Sequence, residues 1–195
     1  AMNDRPRARR PAPPATSSTA ATIRPPLSRS VRIQAKSWRS LADLRPLIDA
    51  ATEAAVAVSP VQPLDGAELS LLLTDDRRIR IVNRDWRGFD KATNVLSFPA
   101  APPNRIAQSP ALGDVVLAYE TVAREAEAEG KPIADHLSHL VIHGLLHLLG
   151  QDHETDADAD RMEALEIAAL ARLGIADPYA DSEPLAETPV FSKAS

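Results

Sequence analysis

The chemistry in this chain is concentrated in eleven residues, His143-Gly-Leu-Leu-His-Leu-Leu-Gly-Gln-Asp-His153. His147 follows His143 by one helical turn, so both imidazoles leave the same helix face and can converge on one ion. Gly150 stands where a helix can end in left-handed backbone that a Cβ resists, and such a reversal brings His153 back towards the pair. Three neutral nitrogen donors leave a fourth position for water or substrate, the arrangement of a catalytic rather than a closed zinc centre. An ion held this way polarises a substrate oxygen or lowers the pKa of bound water from about 15.7 to near 7. A lone histidine in an apolar helix usually packs or caps. Three at these offsets, with a glycine to fold the third one back, predict a metal-dependent hydrolase holding one Zn2+ per chain through His143, His147 and His153.

His139 lies one turn before His143, where it either lines the same face or sits hydrogen-bonded in the core. His136 is expected at the surface. The spacing His-x3-His-x2-Gly-x2-His also occurs in metzincin proteases, where a glutamate that serves as general base follows the first histidine. Gly144 occupies that position here, so a zinc peptidase, lacking its proton acceptor, is the second reading. A third is a non-catalytic protein with structural zinc, which needs a closing fourth ligand such as Asp152 or Asp156.

Arg77, Arg80, Arg84 and Arg87 recur at helical spacing, with Lys91 just beyond, and make a basic ridge that could hold phosphates. Arg80, Arg84 and Lys91 are the candidate contacts to a phosphodiester substrate. The competing reading is a solvated helix face, since Asp75, Asp76 and Asp85 offset the charge. Asn94 and Ser97 either line a cleft at a strand end or only cap and pair backbone groups.

These residues need a frame. At 195 residues, 44% apolar but only 4% aromatic, the chain suits one domain with an aliphatic core. The absence of cysteine excludes disulfides and thiolate ligands, and a formal charge of −5 excludes a coat of positive charge. Residues 1–29 read as a disordered Pro/Arg-rich tail, 30–176 as the metallo-hydrolase domain and 177–195 as a second disordered tail. The first tail resembles a transit peptide in composition, but its prolines break any amphipathic helix, and no signal-peptide core or membrane span is visible. A soluble, cytoplasmic protein is expected.

Within the domain, Val31–Ala35, Glu68–Leu73, Thr93–Phe98 and Asp114–Tyr119 read as strands, the last two separated by a Pro-rich loop over 99–113. Helices are expected over 42–58, 76–87, 120–129, 132–149 and 155–173. The predicted fold class is α/β (α+β): a single four-stranded mixed sheet covered by about five helices, with the metal site at the end of a buried helix.

The eleven-residue segment resembles the signature of the YbeY family of rRNA maturation endoribonucleases. The likeness continues upstream through Lys91-Ala-Thr-Asn-Val-Leu-Ser-Phe-Pro99 and Leu112-Gly-Asp-Val-Val116 and so covers nearly all of 31–175. It implies a zinc-dependent, single-strand-specific endoribonuclease acting in small-subunit rRNA 3′-end maturation and ribosome quality control. Its implied partners are single-stranded or ribosomal RNA, the small ribosomal subunit and assembly factors. The three ligands map onto His143, His147 and His153, and the family's functional arginine falls in a segment like Asn83-Arg-Asp-Trp-Arg87, pointing to Arg87 as the catalytic side chain. The long N-terminal tail and the Pro-rich loop depart from the family pattern.

Overall fold

The computed structural model describes residues 27–180. Strands Ser28–Ile33 (β1), Glu68–Thr74 (β2), Val95–Pro99 (β3) and Ala111–Ala118 (β4) form a single sheet in the order β1-β2-β4-β3. β1 and β4 run parallel to β2 on either side of it, while β3 is an antiparallel edge against β4. The sheet is therefore mixed, as expected. Helices Leu44–Val58 (α1), Asp76–Arg87 (α2), Tyr119–Ala128 (α3), Ile133–Leu148 (α4) and Asp156–Arg172 (α5) surround it, with two 3₁₀ turns at Lys36–Ser40 and Pro103–Gln108.

The period-two alternation of strand side chains sorts this sheet into two faces. Leu69, Leu71 and Leu73 of β2 join Val115 and Leu117 of β4 in the main core, shared with Ile48 and Ala51 of α1, Leu145 of α4 and Leu170 of α5. The α4 helix is apolar on nearly every side because it packs on the sheet as well as on α1 and α5. On the opposite face Leu72, Leu96, Val116 and Phe98 meet Ile79 and Val82 of α2 in a smaller cluster. Asp75 caps α2 by accepting the Arg78 backbone N–H at 2.9 Å, and Thr155 caps α5 by accepting that of Asp158 at 3.2 Å.

The folded part is wider than the expected 30–176. β1 begins at Ser28 rather than Val31, because its backbone pairs with β2 from Ser28↔Glu68 onward even where its side chains are polar. At the other end Tyr179 hydrogen-bonds to Glu166 of α5, so the segment after 176 packs on the domain. The rest of both expected tails, residues 1–26 and 181–195, lies outside the described residues. The expected Pro-rich loop is shorter than 99–113, since Pro99 ends β3 and Ala111–Gly113 belong to β4. Pro99 is tolerated because β3 is an edge strand, with no neighbour on its outer side among the described residues. Gly113, at φ 132°, is required there: a Cβ would lie 2.1 Å from the Phe98 carbonyl oxygen.

Candidate metal centre

The last turn of α4 builds the centre. Gly150 has φ 84°, and its N–H donates to the His147 carbonyl while the Gln151 N–H reaches back to Leu146, both at 3.0 Å. This is a Schellman turn, and glycine supplies its left-handed residue. The turn swings His153 round, so that ligand atoms of His143, His147 and His153 all lie within 4.8 Å of one another.

Two of the three rings are held from behind. His143 Nδ1 donates to Glu166 Oε1 at 2.7 Å, and His147 Nδ1 donates to the Gln151 carbonyl at 3.0 Å. Where each ring carries its one proton on Nδ1, both Nε2 atoms are left as acceptors, and they face each other at 3.1 Å. Two acceptors at that distance repel unless a cation lies between them, and tetrahedral zinc at its usual bond length spaces its nitrogens by about 3.3 Å. Carboxylate and carbonyl partners on the remote nitrogen are also what metal-bound imidazoles normally use. The donor set therefore fits a single divalent ion. Among the described residues no fourth His, Cys, Asp or Glu joins the cluster. Asp152 instead accepts the His153 backbone N–H at 2.7 Å.

Burial, with the neighbouring His143 and His153, lowers the His147 pKa from 6.5 to about 4, so it is neutral near pH 7. Glu166 is 1% exposed. Burial would raise its pKa, but hydrogen bonds from His139 and His143, the charge interaction with His143 and the Tyr179 hydroxyl together bring it down to about 2. Its own burial and then the same carboxylate raise the pKa of Tyr179, which stays a donor.

The sequence-predicted residues divide. His139 is not in the cluster; its Nε2 donates to Glu166 Oε2 at 2.7 Å, the hydrogen-bonded core alternative. His136, expected at the surface, is 5% exposed, because it faces α3 and donates to Glu125 Oε2 at 2.9 Å. A cleft of about 670 Å³ in front of the cluster is lined by Arg87, Asn94, Ser97, His143, His147 and His153 among others. Ser97 both lines it and pairs, donating to the Gly144 carbonyl at 3.1 Å. Asn94 lines it with both ends of its amide engaged, accepting the Val95 N–H and donating to Glu125.

The basic ridge is split. Arg80 makes a two-pronged pair with Asp90 at 2.8 Å, Arg84 pairs with Asp85 at 2.8 Å, and Arg77 and Lys91 line a different hollow from Arg87. Of the ridge, only Arg87 reaches the histidine cleft, and no acid pairs with it among the described residues. Glu166 is the residue that sequence reasoning missed. The signal was available: Met162, Glu166, Ala169 and Leu170 are the buried stripe of α5, so this carboxylate sits where an apolar side chain belongs.

Residues 32–174 match the family model described as "Endoribonuclease YbeY". The protein called Endoribonuclease YbeY in Nitrobacter hamburgensis is 50% identical over 190 residues, covering 94% of the chain and 98% of the relative. Its namesake in Rhodopseudomonas palustris (strain BisB18) is 49% identical over 161 residues, 81% of the chain and 95% of the relative. That of Rhizobium meliloti is 50% identical, with coverages of 79% and 95%. A solution structure from Thermotoga maritima is similar at 22% identity and a TM-score of 0.48, over 80% of the chain and 98% of that protein.

Proposed function

Since the chain belongs to the YbeY family of endoribonucleases, we propose that it cleaves single-stranded RNA during small-subunit rRNA 3′-end maturation and ribosome quality control, with one zinc ion. The observation that carries this reading is the convergence of three imidazoles on an open cleft whose other wall presents Arg87. A closed structural zinc would need a fourth protein ligand, and the described residues supply none. A metzincin-type peptidase would need a glutamate after the first histidine, where Gly144 stands; Glu166 lies behind His143, and Asp152, which lines the cleft, is engaged by the His153 backbone N–H.

Zinc held by His143, His147 and His153 would supply Lewis-acid polarisation of a phosphate oxygen. The remaining work falls to the chain. Glu166 and the Gln151 carbonyl fix the two ring orientations, so the bare nitrogens face the cleft before any ion arrives. Arg87 offers planar guanidinium donors to the phosphate oxygens on which negative charge builds as the P–O bond breaks. Ser97, donating its proton to Gly144, keeps oxygen lone pairs free to accept a ribose hydroxyl. The protein works in the cytoplasm on the small subunit with assembly factors, and no described helix is long and apolar enough to cross a membrane.

The test is cleavage of a labelled single-stranded RNA by zinc-loaded protein beside Arg87→Ala, His147→Ala and a generic peptide substrate. RNA cleavage lost in both variants, with the peptide left intact, is the expected result. Peptide cleavage, or no RNA cleavage at full zinc occupancy, would overturn the reading.

A further inference from the structure

α2 covers only part of its sheet face. Beyond it the strand register lines up Ser30, Ser70, Asp114 and Phe98 in a single row across all four strands, with Arg32 beside Leu72 in the next. These residues and Trp86 line a hollow of about 340 Å³. Ser30, Arg32, Ser70 and Asp114 have no side-chain hydrogen bond or ion pair among the described residues, so the row is polar and unspent. Trp86 stands at its edge, 75% exposed, an unusual cost for the largest apolar side chain. It is not loose, because its ring packs edge-on against Phe98 with centroids 5.9 Å apart. Trp86 and Phe98 also line the histidine cleft on their other side, so the two hollows are continuous through this aromatic pair.

We propose that the open sheet face is a base-stacking platform for single-stranded RNA, with Trp86 receiving a base next to the phosphate held at the metal centre. The proposal rests on the endoribonuclease reading of that centre. A strand crossing from one hollow to the other must pass the indole, and an exposed aromatic face accepts any base by stacking. The row behind it has the groups a single-stranded base edge needs: two hydroxyls that donate and accept, a carboxylate that accepts from an exocyclic amine, and an arginine for the backbone. A duplex keeps its base faces stacked inside the helix and cannot use such a platform, which gives the enzyme a physical source of single-strand preference.

Tryptophan fluorescence reads the contact directly. The chain has two tryptophans, and Trp38 is buried with its indole N–H donating to the Thr74 carbonyl at 2.8 Å, so a quench on binding RNA comes from Trp86. Metal-depleted protein is titrated with an unlabelled RNA decamer and with an unlabelled abasic ribose-phosphate decamer, a fluorescein-labelled decamer being kept for the anisotropy measurement. The expected result is a saturable quench by the base-bearing strand and none by the abasic one. Trp86→Ala should weaken decamer binding, read by anisotropy, by about 5- to 150-fold, the worth of one stacked base. Trp86→Phe, which keeps an aromatic face, should restore most of that affinity, and zinc-loaded Trp86→Ala should show the loss in KM more than in kcat. Equal affinities for wild type and Trp86→Ala, or equal quenching by the abasic strand, would overturn the platform while leaving RNA cleavage in place. Concentration-dependent dimerisation that is lost in Trp86→Ala, with RNA binding unchanged, would assign the patch to a second copy and also overturn it. A zinc-loaded wild type that does not cleave RNA would remove the premise itself.

Discussion

Replacing Glu166 by Gln keeps the shape of a 1% exposed side chain and removes its charge. The carboxylate accepts from His143 Nδ1 on one oxygen and from His139 Nε2 and the Tyr179 hydroxyl on the other. An amide has one oxygen, so its NH₂ must face at least one donor that formerly had an acceptor. If the oxygen stays with His139 and Tyr179, the His143 ring loses its brace and can turn its Nε2 out of the site. Removing such an outer partner typically costs 10–100-fold in metal affinity, about 1.4–2.7 kcal/mol. The assay is competition for zinc between the protein and a chromophoric chelator, run well below the melting temperature of each form. Thermal unfolding of the metal-free proteins reports separately on packing. Glu166→Gln should raise the zinc Kd by at least about tenfold, whereas Tyr179→Phe, which leaves the charge in place, should change it far less. A zinc Kd within about twofold of wild type, with only the metal-free melting temperature lowered, would refute the reasoning. Glu166 would then hold α5 to α4 without orienting His143.

Three further outcomes are expected. Gly144→Ala would place a Cβ 2.9 Å from Val115 Cγ1 and 3.1 Å from Ser97 Oγ, so it should destabilise by about 1–3 kcal/mol in urea unfolding, with Val115→Ala in the same chain recovering part of the loss. The metal-free protein should lose stability as pH falls from 6.5 towards 4, because the His147 imidazole takes up a proton in the unfolded chain at 6.5 but in the fold only near 4. Folding binds fewer protons across that window, so stability rises with pH. Discounted for partial exposure the effect is about 1–2 kcal/mol, and His147→Gln should flatten the urea-midpoint profile. Arg80→Ala and Arg84→Ala should leave RNA cleavage nearly intact, since both arginines already serve Asp90 and Asp85, whereas Arg87→Ala should lower kcat by about 10²–10³-fold.

Much of this fold is legible because its signals are local. The apolar run of Leu69, Leu71 and Leu73, the Asp75 and Thr155 caps and the glycine at 150 each act within one turn or one strand. The His143–His153 spacing is local too, and the three rings converge as the helical repeat and the Gly150 turn require. What the chain hides is set by distant partners. The start of β1 at Ser28 depends on a β2 backbone forty residues further along, and no apolar side chain marks it. His136 looks like a surface residue until Glu125 of α3 meets it. Arg80 looks free until the chain beyond α2 returns Asp90 to it. The Glu166 signal was present as a carboxylate in an apolar stripe, but in a helix this rich in acids it reads as one more solvated charge.

On the proposed reading, the grip on a metal and its tuning would have different ranges along the chain. The three clustered histidines, and the carbonyl that accepts from His147, fall within eleven consecutive residues closed by a turn that needs only its own backbone bonds. Glu166 reaches His143 across a separation of 23 residues. The proposed ion should therefore keep some affinity for a partly unfolded chain through this segment alone, a consequence that a zinc titration of the urea-unfolded protein checks. Ions that also bind the unfolded state stabilise the native one by less than their native affinity alone would give. Zinc should accordingly raise the melting temperature by less than the titrated Kd implies, and the shortfall measures how much of the site the chain can assemble before it has folded.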